Sequence, residues 1–117
     1  MIGGIHSALS GLAAAGVQTA NTANNVANLN SDGFKKGRVL QAEQRPQGVS
    51  TIVEKVETPG AYAIEDTSEG QALIEKSNVD LSEEMPQMMV NQHSYNANLK
   101  TLQVADDMTA SLLDIKA

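Results

Sequence analysis

The sequence predicts an α+β fold in which long N- and C-terminal helices pair as an antiparallel coiled coil, with a small β-hairpin element between them. Apolar and small residues recur at intervals of three and four near both ends of the chain, which is typical of helices that pack along a narrow seam. Between these ends, short β-branched runs are separated by Pro and Gly, which is typical of hairpins. Because 117 residues are close to the commonest size of one domain, we expect a single unit. Its parts are an N-terminal helix (1–30), a turn motif with a small β element and loops (31–78), and a C-terminal helix (79–117).

The N-terminal helix is predicted by two interleaved heptad positions, at Ile2, Leu9, Gly16 and Ala23 and at Ile5, Leu12, Thr19 and Val26. Large side chains occupy the first half of this seam, whereas the small residues of the second half would let a partner backbone approach closely. Each glycine within the helix costs about 1 kcal/mol relative to Ala, so the segment needs a partner to be stable. The Asn, Ser, Asp and Gly residues between Asn28 and Gly33 favour caps and turns and end the helix.

The middle of the chain predicts short strands. Val49 to Val56 is the clearest of them, and weaker candidates lie at Arg38 to Gln41 and at Gln71 to Glu75. Turns are predicted at Pro46 to Gly48 and at Pro59 and Gly60, and a polar loop at Ile64 to Gly70. These segments predict a hairpin or a three-stranded element with mobile edges.

The C-terminal helix is predicted to begin near Asp80, because Asp80 and Glu83 are spaced as a capping pair. Its seam then runs at intervals of three and four through Leu81, Met85, Met88, Gln92, Tyr95, Leu99 and Leu102. Two successive intervals of three follow, and the stripe continues through Ala105, Met108, Leu112 and Ile115, which changes the supercoil locally without ending the helix. Pro86 lacks the amide donor of a helix interior, so the helix either starts nearer to Pro86 or is kinked there.

Composition excludes several classes of function. There are 8 Lys and Arg residues against 14 Asp and Glu, a net charge of −6 without a basic patch, which argues against nucleic-acid binding. The chain has no Cys, so disulfides, thiolate metal sites and Cys nucleophiles are excluded. No apolar run approaches the roughly 20 residues of a membrane span. The first residues lack the charged start and continuous apolar centre of a cleaved secretion signal, so we expect export, if any, by another route.

Catalytic, cofactor and metal sites are not expected either. No Ser or Thr has a recognisable nucleophile context, and no glycine-rich phosphate loop follows a strand. His6 and His93 are far apart in sequence, and neither has an Asp or Glu beside it at metal-ligand spacing. With only three aromatic residues the chain has few bulky side chains for a globular core, so its apolar residues favour helix pairing or subunit contacts. Enzymatic function is the weakest class.

Candidate functional residues are therefore those of the seams. For packing between helices or subunits we select Ile5, Leu9, Leu12, Val26, Met88, Tyr95, Leu99, Leu102 and Leu112. Asn21, Asn24, Asn25 and Asn28 either bond across subunits or form a solvated face. Phe34 either inserts into a neighbour or packs against its own helices. The methionines favour ordinary seam packing over an adaptable binding surface.

Two stretches carry a resemblance to a known family. The first runs from Ala20 to Lys36 and includes Asn24, Asn25, Ala27, Asn28, Gly33, Phe34 and Lys35; it resembles the N-terminal motif of flagellar rod, hook and hook-associated axial proteins. The second includes Ser77, Asn78, Val79, Asp80, Tyr95 and Asn98; it resembles the C-terminal motif of the same family. The short middle segment looks most like a proximal rod protein, whereas Pro86 departs from the family's apolar helix former.

The resemblance implies a structural subunit of the bacterial flagellar basal-body rod that polymerises through its terminal helices into the axial drive shaft. It also implies export by the flagellar type III apparatus without a cleaved signal peptide, a periplasmic location, and contacts with itself and other rod or axial proteins. No cofactor, nucleic acid or membrane insertion is implied. The alternative is a free-standing helical hairpin that binds a partner helix through the same seams.

Overall fold

Two long helices and two β-hairpins make up the fold, seen in a computed structural model that describes residues 2–116. Helix α1 spans Ile2–Ala27 and helix α2 spans Leu81–Lys116, and the hairpins lie between them in sequence. The molecule measures 80 × 24 × 20 Å, and α2 accounts for about 54 Å of its length at 1.5 Å rise per residue. The predicted α+β class with paired terminal helices is confirmed.

The two helices are antiparallel. Gly11 of α1 lies against Asn98 of α2, and Asn25 of α1 donates a hydrogen bond to Glu84 of α2. A step toward the end of α1 is therefore matched by an equal step toward the start of α2. At 1.5 Å rise per residue, the 36 residues of α2 extend beyond the 26 residues of α1.

The face of α1 that meets α2 consists of small residues. Ala8, Ala15 and Thr22 are buried and lie at heptad spacing on the same side of the helix as Gly11 and Asn25. This face lies one residue position, or roughly 100° around the helix, from the seam that the large side chains predict. Small residues let the two helix backbones approach closely. Helix α2 therefore packs against the small-residue face of α1 and not against the seam of large side chains.

The β element contains two separate two-stranded antiparallel hairpins. Hairpin 1 pairs β1 (Gly37–Glu43) with β2 (Val49–Lys55), and hairpin 2 pairs β3 (Tyr62–Thr67) with β4 (Gly70–Glu75). The predicted strands and turns are found, but the polar loop predicted at Ile64 to Gly70 is wrong. Most of it belongs to β3, whose polar residues are tolerated because every β3 residue except Ala63 is exposed.

Hairpin 1 lies along α1, on a different face from the one that α2 covers. At its base, Asn21 Nδ2 donates to the Gly37 carbonyl over 2.9 Å. At its tip, the Val49 amide donates to Ser10 Oγ over 3.1 Å, and a β carbon on Gly48 would lie 2.8 Å from the same oxygen. Strand β1 therefore runs antiparallel to the helix, and the hairpin lies along about three turns of it.

Helix α2 begins where its cap predicts. Asp80 Oδ1 accepts a hydrogen bond of 2.9 Å from the Ser82 amide, as an N-cap side chain does. In a complete capping box the Glu83 side chain would accept a hydrogen bond from the Asp80 amide. Here the Glu83 carboxylate accepts from Lys36 Nζ instead. Pro86 thus lies inside the helix.

Candidate functional site

The core of the molecule is small and polar. Its buried apolar residues are Ala8, Ala14, Ala15 and Val79. The largest fully buried side chains are Asn25, Asn91 and Thr22. A seam of this kind specifies which residues face each other, since a misplaced polar group loses its hydrogen bonds, but it buries little apolar area.

Asn25 joins three elements. Its Oδ1 accepts from the Gly37 amide over 2.9 Å, and its Nδ2 donates to the Gly37 carbonyl over 3.0 Å. The same Nδ2 donates to Glu84 Oε1 over 3.3 Å. One amide side chain thus fixes the start of β1 against α1 and both against the first turns of α2, a task that suits a group with donors and an acceptor.

Asn78, which lies just before α2, also joins three segments of the chain. Its Oδ1 accepts from the Lys36 amide over 2.6 Å, and its Nδ2 donates to the carbonyls of Val56 and Thr58 over 2.8 and 2.9 Å. The backbone amide of Asn78 donates to the carbonyl of Phe34. Asn78 therefore joins the segment after α1, the end of hairpin 1 and the segment before α2. We call Asn25 and Asn78, with these partners, the asparagine junction.

Ion pairs tie hairpin 2 to the turn after α1. Lys35 pairs with Glu75, and Lys76 pairs with both Asp32, at 2.8 Å, and Glu65. The hydrogen bond from Lys35, together with one from the Gly60 amide, lowers the pKa of Glu75. The hydrogen bonds from Lys76 to Asp32 and Glu65 raise the pKa of Lys76. These groups are solvated, so the pairs orient the hairpin more than they stabilise it.

The helix pair also buries an imperfectly satisfied amide. Asn91 is fully buried on α2, and its Oδ1 accepts from Gln87 over 3.0 Å. Its Nδ2 has no hydrogen-bond partner among the described residues. An unsatisfied buried donor costs about 1–3 kcal/mol, so this seam favours specificity over stability.

The sequence-selected packing residues are only partly covered. Ile5, Leu12, Val26, Met88 and Leu102 are partly buried, whereas Leu9, Tyr95, Leu99 and Leu112 are about half exposed. The structure brings Met88 and Tyr95 together across one groove with small residues of α1. The role of the other exposed residues between subunits stays a prediction.

The motif residues have varied roles. Gly33 adopts a φ of +70°, a left-handed conformation that favours Gly, and its amide donates to the Glu75 carbonyl. Phe34 is partly buried within its own chain. The Ser77 hydroxyl accepts from the amide of buried Val79. The remaining motif residues are Asn24, Ala27 and Asn28 at the end of α1, of which Asn28 bonds Asn24, and Asp80, Tyr95 and Asn98 at the start and middle of α2.

Sequence reasoning missed how the asparagines act. Asn21 and Asn25 do not form a solvated face, because both bond Gly37 of their own chain. Thr22, Glu84 and Asn91 were also missed, although they lie at heptad spacing with the other seam residues of their helices. Heptad spacing of polar residues was the available signal, but it is also typical of solvated faces.

An apolar groove runs along the helix pair. Gly16, Thr19, Ala20 and Ala23 form its α1 wall, and Met88, Gln92 and Tyr95 form its α2 wall. The groove has a volume of about 550 Å³. Many other large apolar side chains are exposed, among them Leu99, Met108, Leu112, Leu113 and Ile115 on α2. Such a surface is typical of a binding or assembly interface.

Other kinds of site are absent from the described part of the chain. Across residues 2–116 no group of three or more His, Asp or Glu side chains is placed to hold a metal ion. None of the helices described over these residues has the length and apolar character needed to cross a membrane.

Comparison with known protein families gives two matches, one at each end. Residues 5–35 match the family described as flagella basal body rod protein. Residues 71–115 match the family described as flagellar basal body rod FlgEFG protein C-terminal. The matches contain nearly all of both helices and the two asparagines of the junction, Asn25 and Asn78. A search of curated proteins found no match.

Proposed function

The chain belongs to the flagellar basal-body rod protein family, and we propose that it is a structural subunit that polymerises through its terminal helices into the axial drive shaft. In this proposal its partners are other copies of itself, other rod or axial proteins, and the flagellar export apparatus. It is exported to the periplasmic rod without a cleaved signal peptide, and it has no catalytic role.

The proposal rests on one observation: the chain exposes more surface than a compact protein of its mass. The described chain exposes 8121 Å², whereas a compact protein of 12.3 kDa exposes about 6,100 Å². Its radius of gyration is 20.8 Å, against about 13 Å for a compact domain of this length. An elongated chain with exposed apolar residues gains stability by covering them with neighbouring subunits.

The terminal segments, residues 1–30 and 79–117, are the polymerising parts in this proposal. Both carry exposed apolar side chains, and the helix pair is held by small and polar residues that bury little apolar area. We therefore expect the isolated chain to be partly disordered when dilute and to gain helix as it assembles.

The test compares wild type with Leu99→Asp and Asn96→Asp. Both substitutions add one negative charge to exposed positions of α2, but only the first removes a large apolar side chain. Sedimentation and circular dichroism are measured over a wide concentration range, and swimming is scored in the encoding bacterium. We expect Leu99→Asp to be expressed but to lose assembly and motility, whereas Asn96→Asp retains both. Normal motility of Leu99→Asp would remove that residue from the interface.

The second candidate is a free-standing helical hairpin that binds a partner helix in the same groove. The exposed groove between α1 and α2 favours it. A binding module should be fully and cooperatively helical as a dilute monomer and should not grow with concentration. A rod subunit should be partly disordered when dilute and should gain helix and assemble as its concentration rises. The same concentration series therefore separates the two functions.

A further inference from the structure

Helix α1 carries a second seam, made of small residues in its C-terminal half, on a side of the helix that α2 leaves exposed. Its members are all exposed and alternate at intervals of four and three: Ile2, His6, Leu9, Ala13, Gly16, Ala20, Ala23 and Ala27. We call these residues the outer seam. The whole of α1 contains no Asp, Glu, Lys or Arg. Solvent-facing sides of helices are normally charged, so an uncharged heptad seam fits a face that another helix covers.

The outer seam repeats the chemistry that already holds α2. Within the chain, Ala8 and Ala15 of α1 are buried, and Gly11 lies against Asn98 of α2. On the outer seam, Gly16 and Ala20 form one wall of the groove, with large Tyr95 across from them. A β carbon on Gly16 would meet no atom within 4 Å, so the groove is open at this point. Its shape suits a second helix with large apolar side chains.

The C-terminal end of α2 is a helix of this kind. Extending the register set by Gly11 and Asn98 places the first turn of α1 beside residues 104–107 of α2, so residues 108–116 project beyond α1. We call residues 108–116 the α2 tip. An exposed stripe at intervals of four and three runs along it through Val104, Met108, Leu112 and Ile115. Ile115 is 82% exposed, the highest value among the large apolar residues.

We propose that the α2 tip of one copy docks in the groove of a second copy of this chain. The inference rests on the proposed function and names the contact through which the subunits join. The groove near Gln92 and the tip near Leu112 are about 30 Å apart along the helix, so one molecule cannot fill its own groove. Each copy therefore offers one groove and one tip, which gives a head-to-tail contact, and such a contact builds an open helical assembly when the rotation between copies does not close.

The polar groups at the contact are also compatible. Gln92 and Tyr95 border the groove and offer N–H and O–H donors. Asp107 and Ser111 flank the apolar stripe beside the tip and offer acceptors. Because neither α1 nor the groove lining contains a charged side chain, docking an apolar helix there desolvates no charge on that side.

Site-directed cross-linking tests the contact directly. The chain has no Cys, so each introduced thiol is unique. Full-length Ala20→Cys and Leu112→Cys proteins are mixed at assembling concentration and oxidised, and Ala20→Cys is mixed with Ser50→Cys, on the exposed side of hairpin 1, as the control. We expect a disulfide-linked dimer in the first mixture and at least tenfold less in the second. Equal yields, or no dimer in the first mixture, would overturn the docking proposal.

A groove-filling variant gives an independent readout. Gly16→Leu places a large side chain in the groove, and Gly4→Leu is the matched control, because a β carbon at either glycine meets no atom within 4 Å. Both changes raise helix propensity equally. We expect Gly16→Leu to raise the concentration needed for assembly at least tenfold and Gly4→Leu to leave it unchanged. If wild type assembles and both variants assemble equally well, the docking proposal fails and the proposed function stands. If wild type does not assemble at any concentration, the proposed function fails.

Discussion

Gly11 of α1 lies so close to Asn98 of α2 that a β carbon on residue 11 would be 2.6 Å from Asn98 Oδ1. Asn98 Nδ2 meanwhile donates to the Ser94 carbonyl over 2.9 Å, which holds the side chain against its own helix. The missing side chain at residue 11 therefore sets the distance between the helices at this level.

We predict that Gly11→Ala does not give the usual helix stabilisation. Ala ordinarily stabilises a helix interior by about 1 kcal/mol relative to Gly. At residue 11 the new methyl group must displace Asn98, so we expect a net change between zero and about 1 kcal/mol of destabilisation. Thermal unfolding of the assembled protein, followed by circular dichroism, measures the change.

Gly4→Ala is the matched control, because no atom lies within 4 Å of its β carbon position. It should stabilise by about 0.5–1 kcal/mol. The double variant Gly11→Ala, Asn98→Ala should regain that stabilisation, since the obstructing amide is removed. Equal stabilisation by Gly4→Ala and Gly11→Ala would show that the close contact is not present.

Asn25→Ala should be strongly destabilising. The substitution removes two hydrogen bonds to Gly37 and one to Glu84 from a buried position, so we expect a loss of about 2–3 kcal/mol. Exposed Asn24→Ala should change the free energy of unfolding by less than about 0.5 kcal/mol. Urea unfolding of both variants is the measurement, and similar losses for the two would contradict the role of Asn25 in the junction.

Acid should weaken the attachment of hairpin 2. The pKa of Glu75 is lowered by Lys35 and by the Gly60 amide, so its contribution is present above its unfolded value of 4.5. That contribution is lost as pH falls through the lower folded pKa. The melting temperature of Glu75→Gln should therefore fall less than that of wild type between pH 6 and pH 3 in buffers of about 0.15 M ionic strength. Parallel pH profiles would exclude a role for this carboxylate.

Pro86→Ala should stabilise α2. Pro86 lies inside the helix, where it cannot donate the hydrogen bond that an interior residue makes to the carbonyl four positions earlier. Restoring the donor should add about 1–3 kcal/mol and raise the helix signal in circular dichroism. Asn96→Ala, at an exposed position of α2, controls for the change to Ala. A Pro86→Ala variant no more stable than Asn96→Ala would mean that the proline is accommodated without cost.

Much of the fold could be predicted from local chemistry. The turn residues after Ala27 end α1, Asp80 caps α2, and the β-branched run at Val49 begins β2. Each of these features depends on residues close in sequence, whose preferences for caps, turns and strands act over a few positions. Strand β3 could not be predicted, because it is exposed and polar and is defined by pairing with β4.

The candidate site was predictable only as a set of motif residues. Asn25 and Asn78 stood out in sequence, but their partners lie 12 and more residues away and meet them only in the folded chain. The exposed groove could not be predicted either, because the predicted seam assigned three residues of its α1 wall, Gly16, Thr19 and Ala23, to the contact between the two helices.

By itself the sequence determined the two helices, their ends and the need for a partner, because periodicity, caps and glycine content are properties of short stretches. Only the tertiary structure decided which face of α1 meets α2. A helix without charged residues has no charged side to mark the solvent face, so several heptad seams are compatible with the same sequence. The close approach at Gly11 and the hydrogen bonds of Asn25 select one seam, and the outer seam is left exposed.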